Sequence, residues 1–161
     1  MELSIRSYRK EDLKQMTDIW NDIVEAADSF PGDTRLSLRE AEEMFAAQTA
    51  SVCACLGEEI LGLYILHPNN IGRCAHVANA SYGVKKGCRG MGVGRKMVEH
   101  SLATAKEYGF KGLQFNAVVA SNEAAIRLYL DLGFQKIGRI PNGYRLKDGT
   151  FIDIFIFYHS I

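Results

Sequence analysis

Apolar and polar residues follow two periods along the N-terminal third of the chain. Residues 3–8 alternate with a period of two, which is typical of a half-buried strand, whereas apolar side chains recur every three or four positions over residues 11–27. Ser37 and Glu40 then form a capping box that predicts the start of a second helix, which ends near Gln48. This third of the chain predicts a strand followed by two helices.

The middle of the chain predicts three consecutive strands that pair antiparallel. Residues 51–57 and 60–67 flank a short polar turn, and residues 74–84 are rich in small and β-branched side chains. Alternation assigns the third strand two faces, formed by Val77, Asn79, Ser81 and Gly83 and by His76, Ala78, Ala80, Tyr82 and Val84. Gly83 predicts a β-bulge that opens the sheet.

Strands and helices alternate after residue 84. A glycine-rich segment, residues 85–94, leads into a helix that ends at Gly109. Residues 112–119 form a short apolar strand, and Ser121 stands where it caps a helix that ends at Gly133. This order predicts strand-helix-strand-helix packing with one parallel pair of strands.

The last part of the chain predicts a hairpin. Segments 134–140 and 151–159 flank turn residues at 141–143 and 148–149. The second segment is apolar on both faces, so we expect both faces to be buried. We also expect its edge to be covered by a partner subunit, which predicts a homodimer. The whole chain, 1–161, predicts one α/β domain, with a central twisted mixed sheet of about six to seven strands flanked by about four helices.

Composition excludes several classes of protein. The chain has 161 residues, no formal net charge and a pI of about 6.9, which argues against a nucleic-acid or membrane-surface partner. The spacing of its four cysteines matches no zinc site, so no metal is expected. No secretory signal or membrane span precedes or interrupts the pattern, and we therefore expect a reduced, cytoplasmic protein.

Charge is unevenly distributed. Residues 1–50 hold eleven acidic and six basic side chains, net −5, whereas residues 85–96 hold five basic side chains and no acidic one. Within that basic stretch, Arg89-Gly90-Met91-Gly92-Val93-Gly94 follows a predicted strand and opens a predicted helix. Unpaired N–H groups at a helix start, approached closely through glycine, form a phosphate-binding site.

Two common phosphate loops do not fit this segment. The Walker A pattern needs Lys and then Ser or Thr after its last glycine, where Arg95 and Lys96 stand, and the dinucleotide pattern beginning at Gly92 fails at Met97. The pattern that fits is R-x-x-G-x-G, formed by Arg89, Gly92 and Gly94. A tight turn with a solvated helix start is the alternative explanation.

These motifs resemble those of the GCN5-related N-acetyltransferases. The pyrophosphate loop of that family is R-x-x-G-x-G, and a second cofactor motif corresponds to Asn122-x-x-Ala125-x-x-Leu128-Tyr129-x-x-x-Gly133-Phe134. The resemblance implies acetyl-CoA as the donor substrate, with its pyrophosphate on the backbone amides of Arg89, Gly90, Met91, Gly92, Val93 and Gly94. It further implies that the pantetheine lies along Tyr82 to Val84, that Asn122 binds the cofactor arm, and that Tyr129 is the general acid.

The acceptor side departs from the family pattern. Many relatives carry a glutamate on the strand before the loop, but residues 76–84 contain no carboxylate. His76 is one candidate base, although a lone strand histidine is more often structural. Asn79 and Asn116 either form a core hydrogen-bond network or orient the acceptor as site residues.

The resemblance implies an acetyl-CoA-dependent N-acetyltransferase, and the branch that it favours acts on a small amine, such as an amino acid or analogue. The alternatives are a protein or peptide acetyltransferase and a non-catalytic acyl-CoA sensor. Asp28 and Asp33 lie in a loop between the first two helices, where we expect the acceptor entrance.

Overall fold

The computed structural model describes residues 2–161, and seven β-strands and four α-helices organise that part of the chain. The elements in chain order are β1 Ser4–Ser7, α1 Leu13–Ala26, α2 Leu38–Ala46, β2 Ala50–Leu56, β3 Glu59–Pro68, β4 Val77–Val84, α3 Val93–Glu107, β5 Gly112–Val119, α4 Glu123–Asp131, β6 Gln135–Arg145 and β7 Phe151–Ser160. The strands form one mixed sheet in the order β1-β2-β3-β4-β5-β7-β6. The predicted fold class is confirmed.

The sheet carries a hydrophobic core on each face because its central strands are apolar on both sides. On one face, α1 and α2 bury Met16 and Phe45 against Cys53, Cys55 and Leu63 of β2 and β3. On the other face, α3 and α4 cover a larger cluster that includes side chains from β3, β4, β5 and β7. Cys53 and Cys55 of β2 therefore lie on the same face of the sheet.

The parallel pair that the sequence predicts is formed by β4 and β5, but it is short. Only three residue pairs join these strands, and the last is Asn79 with Gln114. Beyond that pair β4 continues to Val84 beside β3, whereas β5 continues to Val119 beside β7. The two strands separate there, and the sheet has an open cleft between them.

Helix ends agree with the sequence at three points and differ at one. Ser37 and Glu40 form the capping box of α2, and Gly109 and Gly133 both have positive φ values after α3 and α4. The prediction that Ser121 caps α4 is wrong, because Asn122 is the N-cap and its Oδ1 accepts from the N–H of Ala125.

Two details of the third predicted strand are wrong. Cys74 is the last residue of a short 3-10 helix, Gly72–Cys74, and residues 75–76 form the turn after it, so β4 begins at Val77. Gly83 is not at a bulge, because β3 and β4 pair in continuous register. A Cβ at Gly83 would lie 2.6 Å from Cδ1 of Ile23, so the glycine allows α1 to approach the sheet.

The closing hairpin is present with a longer first strand than predicted. Residues 141–143 do not form a turn; they lie inside β6, at an irregularity opposite β7. β7 is an interior strand between β5 and β6, so the expectation of an exposed apolar edge at β7 is wrong. Its two faces are also only partly buried, since Ile154 and Phe157 are buried while Phe151 is 62% exposed. The homodimer stays a prediction.

No helix within residues 2–161 is long and apolar enough to cross a membrane. The same residues contain no cluster of three or more His, Cys, Asp and Glu side chains arranged to hold a metal ion. All four cysteines are free thiols.

Candidate active site

The cleft between β4 and β5 contains a cavity of about 190 Å³. Side chains from both faces of the sheet line it, because the separated strands leave a passage through the sheet. Tyr82, Phe115 and Tyr129 lie on the α3/α4 side, and Asn79 and Ser81 lie on the opposite face of β4. Asn116, Asn122 and the loop residues Ser29, Phe30 and Pro31 also line the cavity.

The edge of β4 that faces the cleft carries unpaired main-chain groups. Backbone hydrogen bonds from Asn69 to Val77 and from Lys85 to Leu61 show that the odd-numbered residues of β4 bond to β3. Because main-chain groups alternate sides along a strand, those of Tyr82 and Val84 point to the cleft side. The segment expected to hold the pantetheine therefore presents free strand-edge hydrogen-bonding groups.

The glycine-rich loop ends at the start of α3. Gly90 and Gly92 have φ values of 84° and 77°, a region that L side chains rarely adopt, and Gly92 is the N-cap of α3. The first helical hydrogen bond runs from the N–H of Lys96 to the carbonyl of Gly92, so the N–H groups before it have no helical partner. Val93 is buried in the core, whereas Met91 is 55% exposed. The backbone N–H groups of residues 89–94 are therefore available to bind an anion.

Basic side chains surround this helix start, and two of them are already paired. Lys85 forms an ion pair with Glu59 at 2.9 Å, and Arg95 forms one with Asp131 at 3.2 Å. Within residues 2–161 no carboxylate lies within 4.0 Å of Lys86, Arg89 or Lys96. Their charge adds to the positive end of the helix dipole and favours a bound anion.

Tyr129 lies at the end of the cleft next to α4. Its ring packs against Phe115 and Phe157, with centroid distances of 4.6 and 5.7 Å, and lines the cavity. Its hydroxyl group makes no hydrogen bond to any residue of the described chain. Burial raises the pKa of the phenol well above its usual range, so the hydroxyl stays protonated and presents a donor to the cavity.

The hydroxyl group of Tyr82 and the amide oxygen of Asn122 form hydrogen bonds within the protein. Tyr82 Oη lies 2.6 Å from Ser101 Oγ in α3, so this side chain fixes β4 on the helix while its main chain faces the cleft. Asn122 caps α4 through Oδ1, which leaves its Nδ2 group to donate into the cavity that it lines. Ile126, one turn along α4, packs against the core.

Asn79 and Asn116 are connected through a third asparagine. Asn69 Oδ1 accepts from Asn79 Nδ2 at 3.3 Å and from Asn116 Nδ2 at 2.6 Å. Asn79 Nδ2 also donates to the backbone carbonyl of Gln114 at 3.0 Å, and Gln114 Nε2 donates to Asn116 Oδ1. Asn116 is exposed and Asn79 is half-buried, so this is a network in the wall of the cavity rather than in the core.

The geometry of the cleft and loop agrees with comparisons to known proteins. The sequence profile of the acetyltransferase (GNAT) family matches residues 13–134. The chain belongs to the GNAT acetyltransferase family. It is therefore an acetyl-CoA-dependent N-acetyltransferase, as the sequence motifs imply. The residue roles named above stay predictions.

Three proteins similar to this GNAT enzyme match it over 81% or more of their own length. N-acetyltransferase aca1 of Schizosaccharomyces pombe is 30% identical over 170 residues, which cover 94% of this chain and 81% of that protein. A GCN5-related N-acetyltransferase from Kribbella flavida superposes with a TM-score of 0.92 at 28% identity, over 99% of this chain and 98% of the other. A phosphinothricin acetyltransferase from Sinorhizobium meliloti in complex with acetyl-CoA has the same fold, with a TM-score of 0.92 at 18% identity, over 100% of this chain and 89% of that one.

Among the residues that the structure describes, the lining of the cavity between β4 and β5 includes no carboxylate or histidine. His76, the candidate base, is exposed in the turn before β4 and does not line the cavity. This placement argues against the interpretation of His76 as the base. The titratable side chains in the lining are Tyr82 and Tyr129, and burial keeps both protonated by raising their pKa values.

A second cavity of about 390 Å³ lies beside the first, on the side of the α1–α2 loop. The two share Phe30, Pro31 and Ala117 in their linings. The second is also lined by Asp33 and by residues 143–147 of β6 and its turn. The loop is fixed in place because Tyr144 Oη donates to the Phe30 carbonyl at 2.7 Å. The loop that carries Asp28 and Asp33 thus borders both cavities.

Three contributors to the site could not be recognised in the sequence. Asn69 precedes a 3-10 helix in the β3–β4 connection, and nothing local distinguishes it from an ordinary polar loop residue. Phe30 and Phe115 look like core residues in the sequence, and both line the cavity. One signal for Asn69 was available: it directly follows the apolar strand β3. The predicted pair of amides, Asn79 and Asn116, needed a third polar side chain as a partner, and Asn69 is that side chain.

Proposed function

We propose that this enzyme transfers acetyl from acetyl-CoA to the amine of a small molecule, an amino acid or an analogue of one. The observation that carries the proposal is the bounded size of the acceptor side of the cleft. Ser29, Phe30 and Pro31 line the cavity there, and the hydrogen bond from Tyr144 Oη to the Phe30 carbonyl holds their loop. A cavity of about 190 Å³, beside a second one of about 390 Å³, has the size that a small acceptor needs, whereas a polypeptide needs an extended groove.

The donor is assigned to the α3 end of the cleft. The backbone N–H groups of residues 89–94 would bind the pyrophosphate, and the free edge at Tyr82 and Val84 would bind the pantetheine as an added strand. Asn122 Nδ2 would donate to the cofactor arm. When bound, acetyl-CoA supplies an acetyl group activated as a thioester.

Transfer forms a nitrogen–carbon bond, breaks the carbon–sulfur bond, removes one proton from the amine and returns one to the sulfur. Tyr129 is the proposed donor to the sulfur, because its hydroxyl has no other partner and lines the cavity. A phenol whose pKa lies above that of a thiol is a weak acid toward a thiolate. Its main contribution is therefore a hydrogen bond to the negative charge that develops on sulfur.

Asn79 and Asn116 are proposed to orient the acceptor, since both line the cavity where β4 and β5 separate. An amide does not titrate, so neither of them accepts the amine proton. Because the described lining of the cavity between β4 and β5 has no carboxylate or histidine, we infer that the amine binds there in its neutral form or loses its proton to water.

The test is free CoA release from acetyl-CoA with a panel of L-amino acids, proline analogues, polyamines, aminoglycosides and short peptides. The proposal expects one small amine to have the highest kcat/KM, and Asn79→Ala and Asn116→Ala to lower it. Turnover of peptides in preference to small amines would identify a peptide acetyltransferase. Absence of turnover, with acetyl-CoA still raising the melting temperature, would indicate either a sensor or an enzyme whose acceptor lies outside the panel. Wild-type turnover in both asparagine variants would remove their assignment.

A further inference from the structure

We propose that Asn69 is a positioning residue, which holds Asn79 so that only its carbonyl oxygen is available to the acceptor. The inference rests on the proposed function, because it concerns how the acceptor side of that cleft is oriented. Asn69 is itself outside the described cavity lining and acts through the two asparagines that line it. Its backbone is fixed by the hydrogen bond from its N–H to the Val77 carbonyl at 2.8 Å.

One backbone carbonyl determines the direction of the whole network. The Gln114 carbonyl can only accept, so the Asn79 atom 3.0 Å from it must be the amide nitrogen. The same Asn79 Nδ2 also donates to Asn69, so the Asn69 atom that faces it must be the oxygen Oδ1. Asn69 Oδ1 accepts from Asn116 Nδ2 as well. Asn116 Oδ1 in turn accepts from Gln114 Nε2 at 2.9 Å. No amide in this chain can be reversed alone without placing two donors or two acceptors together.

The hydrogen bonds of Asn79 determine which of its side-chain groups remain free for a ligand. An asparagine amide group has two N–H donors, and those of Asn79 are directed to Asn69 and to Gln114. Asn79 Oδ1 receives no hydrogen bond from any described residue. Asn79 therefore offers the cavity an acceptor only, and an acceptor is what the N–H of a reacting amine requires.

Asn116 has the opposite capacity left. One of its N–H groups is used by Asn69, and its Oδ1 accepts from Gln114, so its second N–H is free to donate. The two side chains together complement an N–H donor and an oxygen acceptor on one small molecule. Asn69 sets this polarity because it accepts from both amides through a single oxygen.

Asn69→Leu and Asn69→Asp separate this role from a merely structural one. Leucine removes the shared acceptor at similar volume, so we expect kcat/KM for the best small amine to fall by roughly tenfold or more, because the acceptor is misaligned. The KM for acetyl-CoA stays unchanged. Aspartate keeps an oxygen that accepts from both amides, and we expect it to restore most of the activity.

Asn70→Leu is the matched control, because Asn70 is the next residue of the same loop and is exposed. Its Oδ1 accepts only from the Ile71 N–H among the described residues. This variant is expected to keep wild-type kinetics. Activity in Asn69→Leu equal to that of the wild type, or an equal loss in Asn69→Asp and Asn69→Leu, would overturn the proposal.

A second measurement distinguishes failure of this proposal from failure of the proposed function. Nitrogen-15 NMR of the side-chain amides reports on Asn79 and Asn116 without any substrate. We expect Asn69→Leu to shift both signals and to speed their proton exchange, and Asn69→Asp to keep both close to the wild type. If no small amine is turned over while these signals respond, the function fails and the positioning stands. Unchanged signals in Asn69→Leu would overturn the positioning role.

Discussion

Asn79 Nδ2 donates to the backbone carbonyl of Gln114 at 3.0 Å, at the last residue pair that joins β4 to β5. The side chain thus bonds across the parallel pair at the point where the two strands separate. On one side of this point the sheet is continuous, and on the other side it holds a cavity of about 190 Å³. The proposed acceptor-binding side chain is therefore part of the structure that ends the pairing.

Tyr129→Phe tests the proposed donor to the sulfur. The hydroxyl bonds to no described residue, so its removal leaves the packing of the ring and the melting temperature nearly unchanged. We expect kcat to fall roughly 10²-fold, the lower end for a lost proton donor, with the KM for acetyl-CoA little changed. Tyr108→Phe is the control, because that tyrosine is 57% exposed at the end of α3. Equal kcat values in the two variants would refute the assignment.

The pH dependence of kcat/KM for the acceptor tests the absence of a base in the described lining. If the amine binds neutral, the rate rises with pH until the amine's own pKa is passed. We expect no fall on the alkaline side near pH 10, since burial raises the pKa of Tyr129 and the phenol stays protonated there. The measurement is the same profile for two acceptors whose amines have different pKa values.

The ascending limb is expected to move with the acceptor. A limb that stays at one pH for both amines would belong to a protein group, and would contradict the account by revealing a base outside the described lining.

Gly92→Ala tests the phosphate-binding loop. At a φ of 77° an alanine costs about 1–2 kcal/mol, and the strain falls on the backbone N–H groups assigned to the pyrophosphate. We expect the KM for acetyl-CoA to rise several-fold. Gly149→Ala introduces comparable strain at a φ of 88° in the β6–β7 turn, and open space surrounds both glycines. A comparable rise in KM in both variants would show general destabilisation instead of a loop-specific effect.

Asp28→Asn combined with Asp33→Asn tests the acidic loop at the acceptor entrance. The loop borders both cavities, and its negative charge should attract a cationic amine. We expect the KM of a cationic acceptor to rise two- to threefold at low salt, and less at high salt because the charges are exposed. Asp22→Asn, exposed on α1, is the control. A KM independent of both loop charges would remove the idea.

The local parts of the fold could be predicted from the sequence because their signals are local. The Ser37 capping box, the glycine that ends α3 and the β5 strand all depend on residues within a few positions of one another. The N-cap of α4 was missed by one residue because Ser121 and Asn122 both suit that position. In the structure Asn122 is the N-cap, and its N–H donates to the Val119 carbonyl at the end of β5.

The features that the sequence could not supply depend on distant pairing. The place of β7 between β5 and β6, the early end of the β4–β5 pair and the irregular register of β5 near Asn116 all arise from contacts between separate strands. The same holds for the site. Asn79 and Asn116 could be named as candidates, but their link through Asn69, which is 47 residues from Asn116, follows only from the folded arrangement.

The most direct test of the central claim is a crystal structure of this protein with CoA. The account predicts that the pantetheine runs along β4 at Tyr82 and Val84, and that the sulfur lies within about 3.5 Å of Tyr129 Oη. Pantetheine density outside the β4–β5 cleft, or a sulfur that Tyr129 cannot reach, would contradict it.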